Sequence, residues 1–107
     1  MTEKVAIFIS GSGTNMVSLV NSMHKQNYAR PSLVLSNKSC AIGLTKAMNF
    51  NIPTVCIESK KASGLDLDFE AKIQKELKNY KVELICLAGF MRVLSSNFVD
   101  SLSLIHI

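Results

Sequence analysis

Close to the amino terminus, five apolar residues in a row, Val5-Ala6-Ile7-Phe8-Ile9, run directly into the turn Ser10-Gly11-Ser12-Gly13-Thr14-Asn15. A strand with one wet face alternates apolar and polar residues; an unbroken apolar run is a strand with both faces dry. Such a run suits a strand covered on both faces by helices. Past the turn, Met16, Leu19, Val20 and Met23 recur at i, i+3, i+4 and i+7, the apolar stripe of a helix. The chain therefore opens as strand, glycine turn, helix.

The same alternation continues. The first helix is expected to end near Asn27, ahead of Pro31. Residues 32–36 read as a second strand and 42–50 as a second helix, with Asn51 as its left-handed cap and Pro53 just beyond. Residues 54–57 form a third strand, and 58–64 are polar. Asp66 opens a third helix whose buried stripe is Phe69, Ile73, Leu77 and Tyr80. Its charges follow the helix dipole, with Asp66, Asp68 and Glu70 early and Lys75, Lys78 and Lys81 late. Residues 82–87 are a fourth strand, ending in Ala88-Gly89-Phe90-Met91-Arg92. Strand and helix in strict turn predict an α/β fold, an open, doubly wound, mostly parallel sheet of Rossmann-like type with about four strands. The 107 residues suit one domain, 1–107. They are few for a doubly wound sheet, so a truncated or minimal version is expected.

Composition narrows the function. Twelve Lys and Arg against eight Asp and Glu leave a net charge of +4, which favours an anionic small molecule. The basic residues are scattered and no aromatic stripe accompanies them, so no nucleic-acid partner is expected. Cys40, Cys56 and Cys86 are odd in number and form no C-x-x-C pair, which argues against a metal site and against a disulfide framework. Glu3 and Lys4 precede only a short apolar run, unlike a signal peptide, and no run is long enough to span a bilayer. No membrane partner and a cytoplasmic setting follow.

In an open parallel sheet, ligands bind beyond the carboxyl ends of the strands, where strand order reverses. With the first three strands running outward as 3-2-1 and the fourth on the other side of the first, that crevice lies between strands one and four. Those strands end in the two glycine-marked turns. Gly11 and Gly13 let backbone approach a ligand closely, and the amides of Gly13, Thr14 and Asn15 open a helix whose dipole favours an anion. The alternative is a plain strand-helix turn with Thr14 or Asn15 as N-cap. A dinucleotide would want a third glycine where Met16 stands, and an acid where Ser36-Asn37-Lys38 stands. No Gly-x4-Gly-Lys-Ser/Thr is present, so a compact phosphomonoester fits better than NAD or ATP. The second turn, residues 88–94, carries one arginine in an apolar setting. It suits a flat, partly apolar ligand with a carboxylate, or a packing loop with Arg92 in an ion pair.

Taken together, Ile9-Ser10-Gly11-Ser12-Gly13-Thr14-Asn15, Leu35-Ser36-Asn37-Lys38, Gly43, Ala47, Leu87-Ala88-Gly89-Phe90-Met91-Arg92-Val93-Leu94-Ser95 and Phe98-Val99 resemble the phosphoribosylglycinamide (glycinamide ribonucleotide) formyltransferase family. The resemblance covers the amino-terminal half of that family's domain, from about residue 5 to about residue 102, with 103–107 a divergent tail. It implies formyl transfer from 10-formyltetrahydrofolate, as co-substrate, to the amine of glycinamide ribonucleotide in purine biosynthesis, with no metal. It further implies that the amides of Gly13, Thr14 and Asn15 hold the substrate's ribose phosphate, with Gly89 lining the same cleft. Met91, Arg92, Val93, Leu94 and Val99 are implied to wall the pterin.

The family's oxyanion and proton-shuttle groups come from an Asn-x-His-Pro segment and a later aspartate. Matching His106 to that catalytic histidine requires a deletion after Val99, and puts Leu104 at the asparagine and Ile107 at the proline. The other reading ends the match near Leu102. The chain is thus expected to be an incomplete formyltransferase or a non-catalytic phosphate-binding module. With the second half missing, the sheet edge beside strand four is expected to be bare and to invite self-association.

Overall fold

The computed structural model describes residues 3–26, 29–39, 41–59 and 66–90, and the backbone of 104–106. The apolar run is the middle of β1 (Glu3–Ile9), and both of its faces are dry, as its composition demands. Val5, Ile7 and Ile9 point into one core with Met16, Val20, Val34, Leu44 and Ala47. Ala6 and Phe8 point into another with Leu33, Leu35, Phe69, Ile73 and Leu77. The first core lies under α1 (Thr14–Gln26) and α2 (Ile42–Asn49), the second under α3 (Leu67–Asn79). Burying each large aliphatic side chain in these layers contributes roughly 1.5–3 kcal/mol.

The other strands are β2 (Ala29–Ser36), β3 (Thr54–Cys56), β4 (Leu84–Leu87) and β5 (Leu104–His106). Their order across the sheet is β3-β2-β1-β4-β5, and every pairing is parallel. β1 is central: Ile7 lies opposite Val34 of β2 on one side and Cys86 of β4 on the other.

Three details differ from the sequence reading. β2 begins at Ala29 and carries Pro31 inside it. Its register against β1 jumps from Val5–Pro31 to Ala6–Leu33, so Ser32 is an extra residue and the irregularity absorbs the proline's missing N–H. The hydroxyl of Ser32 is buried there with no hydrogen-bond partner. β4 starts at Leu84 rather than residue 82, although the Glu83 amide still donates to the Lys4 carbonyl at 2.8 Å. The edge beside β4 is not bare: Ile85, Cys86 and Leu87 pair with Leu104, Ile105 and His106. Residues 104–106 supply a fifth strand, because open backbone groups on β4 reward any short extended apolar segment that reaches them.

Both later helices end alike. Asn51 (φ 60°) and Lys81 (φ 54°) are left-handed. In each case the next amide reaches back to the helix, Ile52 to the Ala47 carbonyl at 3.1 Å and Val82 to Leu77 at 3.0 Å, a Schellman closure. Asp66 caps the start of α3, accepting from the Phe69 amide at 3.1 Å and from the Ser59 hydroxyl at 2.7 Å.

Candidate functional site

The strand order turns back between β1 and β4, so the loops that follow these two neighbours part and leave a crevice at their carboxyl ends. The first wall is the Ser10–Asn15 turn. The Gly13 carbonyl accepts from the Val17 amide at 2.9 Å, the first bond of α1. Gly13 therefore holds the cap position at φ 75°, a conformation natural to glycine. Thr14 and Asn15, one of which the plain-turn reading makes the N-cap, are already the first two helical residues. The Thr14 hydroxyl lies 3.1 Å from that of Ser12 instead.

The amides that open α1 lack carbonyl partners within the helix, and its first turn holds no acid to offset the positive end of the dipole. Thr14 and Asn15 are exposed. At Gly11, a Cβ would meet nothing within 4 Å, so the turn is open on that side. This is the arrangement an anion requires.

The second wall follows β4. The Ala88 amide donates to the Phe8 carbonyl at 2.9 Å and extends the ladder by one bond. Gly89 then turns with φ 80°, exposed, and a Cβ there would also meet nothing among the described residues within 4 Å. Phe90 anchors the turn from behind. Its ring stands edge-on to Phe8 with centroids 5.3 Å apart, and parallel to Phe69 at 6.3 Å. The apolar character of this motif is thus partly core packing. Met91, Arg92, Val93, Leu94 and Val99 lie outside the described residues.

The floor between β1 and β2 is polar and tied down. The buried Ser10 hydroxyl donates to the side-chain oxygen of Asn37 at 2.6 Å. The Ser36 hydroxyl, fully buried, accepts from the Lys38 amide and donates to the Lys38 carbonyl, both at 3.0 Å. Lys38 itself is exposed. His106 ends β5 with its backbone opposite Leu87, two residues before Gly89. The structure therefore brings Gly13, Thr14, Asn15, Gly89 and the backbone of His106 to one end of the sheet.

Gly43 was not legible as part of the site. Its amide donates to the Gly11 carbonyl at 3.0 Å, docking the start of α2 on the turn. A cavity of about 460 Å³ lies beyond Thr14, between α1 and α2, lined by Val17, Ser18, Lys46, Asn49 and Phe50. Among the described residues, no three His, Cys, Asp or Glu side chains are grouped to hold a metal ion, and no helix is long and apolar enough to cross a membrane.

Residues 3–107 match the family model described as formyl transferase. The chain is 47% identical over 97 residues to the trifunctional purine biosynthetic protein adenosine-3 of Gallus gallus, covering 90% of this chain and 10% of that one. It is 35% identical over 99 residues to the phosphoribosylglycinamide formyltransferase of Haemophilus influenzae, covering 92% and 46%. The phosphoribosylglycinamide formyltransferase structure from Coxiella burnetii superposes with a TM-score of 0.88 at 34% identity, over 99% of this chain and 51% of that one. The corresponding Brucella melitensis structure gives 0.86 at 35% identity, over 94% and 53%. The chain spans about half the length of these bacterial proteins and a tenth of the avian one.

Proposed function

The chain belongs to the formyl transferase family, and from that premise we propose that it supplies the phosphate-holding half of a phosphoribosylglycinamide formyltransferase of the cytosol. The observation that carries this reading is the convergence of two glycine turns, exposed at Gly11 and Gly89, on the carboxyl ends of adjacent parallel strands. The amides of Gly13, Thr14 and Asn15 hold the phosphate of glycinamide ribonucleotide, with Gly89 lining the same crevice. Met91, Arg92, Val93, Leu94 and Val99 wall the pterin of 10-formyltetrahydrofolate.

In the reaction, the substrate amine attacks the formyl carbon. The bond from that carbon to the folate nitrogen then breaks, and the proton lost by the amine ends on the folate nitrogen. The protein's tasks are to hold both partners in line and to move that proton. His106 is the residue in this chain suited to the proton step, and its register beside Leu87 supports the assignment. A phosphate-binding module without turnover is the second reading. It is favoured by Leu104 in β5, two residues before His106, where an apolar side chain offers no donor to an oxyanion.

Titration calorimetry with glycinamide ribonucleotide, followed by a formyl-transfer assay with 10-formyltetrahydrofolate, separates these. Binding with turnover supports the enzyme, binding without turnover supports the module, and no binding overturns both.

A further inference from the structure

Gly43 is the second residue of α2 and does not adopt a positive φ. Its backbone conformation is therefore one that alanine would take up readily. Glycine inside a helix is less favourable than alanine, so its place here needs another reason. Space supplies one. A Cβ on Gly43 would lie 3.0 Å from the Gly13 Cα and 3.2 Å from the Gly11 carbonyl oxygen, and would press on the Cδ1 of Ile9. In the other direction, a Cβ on Gly13 would lie 2.7 Å from the Gly43 Cα. The end of an isoleucine side chain can swing aside, whereas the Gly13 and Gly11 atoms are backbone of the turn itself.

The hydrogen bond acts with the steric contact. Because the Gly43 amide holds the Gly11 carbonyl at 3.0 Å, the peptide between Gly11 and Ser12 has a fixed orientation. In a trans peptide the N–H points opposite to the C=O, so the Ser12 N–H faces away from α2. The turn is thus clamped at both of its glycines by one residue of the next helix, 30 positions further along the chain.

We propose that Gly43 is a positioning residue for the phosphate turn, setting the aim of its amides without touching the ligand. The proposal rests on the reading of that turn as the glycinamide ribonucleotide phosphate site. Its test uses the whole chain, ¹⁵N-labelled, in four forms: wild type, Ile9→Val, Gly43→Ala and the double variant. Glycinamide ribonucleotide and inorganic phosphate are titrated into each. The Ile9→Val change gives the alanine methyl room in the core and leaves the clash with the turn in place.

The expected result is wild-type binding for Ile9→Val and at least tenfold weaker binding for Gly43→Ala. The Ser12 and Gly13 amide resonances shift in the alanine variant while its melt stays cooperative, and the double variant remains weak. Wild-type affinity in either alanine-bearing form overturns the proposal, as does a double variant that cannot fold, since the glycine would then serve the core. A wild type that binds no glycinamide ribonucleotide overturns the phosphate reading instead. In that event the Ser12 and Gly13 resonances still decide the clamp: if they are unmoved by Gly43→Ala, Gly43 does not position the turn.

Discussion

The hydroxyl of Ser10, the first residue past β1, donates a 2.6 Å hydrogen bond to the side-chain oxygen of Asn37, the first residue past β2. This bond crosses the mouth of the sheet and ties the start of the Ser10–Asn15 turn to the neighbouring loop. A Ser10→Ala variant is expected to lose about 1 kcal/mol of stability, since it leaves a half-buried carboxamide oxygen short of a donor. Urea unfolding at constant m-value measures the loss directly.

Gly89→Ala tests the second turn. A methyl there meets no atom of the described residues within 4 Å, so among them the change carries only the strain of φ 80°, roughly 1–2 kcal/mol. The fold should survive with a lowered melting temperature. On the proposed reading, in which Gly89 lines the substrate crevice, binding of glycinamide ribonucleotide, followed by calorimetry, should weaken more than the stability loss accounts for.

Phe90→Ala removes the ring that packs on both Phe8 and Phe69. The residue is only half-buried, so the expected cost is about 2 kcal/mol rather than the larger figure for a fully buried phenylalanine. Amide exchange should quicken at Ala88 and Gly89, whose turn the ring holds from behind. Unchanged protection there would show that the turn is held by other contacts.

Asp66→Ala should cost roughly 1–2 kcal/mol through the lost cap on α3. Asp66→Asn keeps an acceptor for the Phe69 amide and should recover a large part of that loss. Thermal melts of the pair give the comparison.

Cys86 is buried in β4, and desolvation, helped by the charge of Glu3, raises its thiol pKa above the ordinary 9.0. The folded protein then keeps this proton where the unfolded chain has released it. The stability tied to Cys86 is constant below pH 9 and declines as pH rises past 9.0 toward the folded value. Iodoacetamide at pH 8 should modify exposed Cys56 well before Cys86, as read by mass spectrometry.

Much of this architecture is legible in the sequence because its strongest signals are local. The dry faces of β1, the stripe of Phe69, Ile73 and Leu77, and the left-handed Asn51 each follow from neighbours within one or two turns of chain. The features that escape are long-range or faint. The bond from Ser10 to Asn37 joins residues 27 apart. The role of Gly43 depends on which backbone it meets, and nothing in its own helix hints at that. β5 is three residues long, and its pairing depends on an open edge of β4 rather than on any pattern of its own. For the site, the glycine turns were readable as such, whereas the clamp that aims the first of them was not.

The central position of β1 also bears on synthesis at the ribosome. Of the described strands, the one earliest in the chain lies in the middle of the sheet, with β2 and β3 added outward on one side and β4 and β5 on the other. Every later strand pairs with a strand that has already left the exit tunnel, so the sheet can grow in the order of translation. The Ser10–Asn15 turn, directly behind β1, is therefore made before the turn at Gly89 that faces it exists.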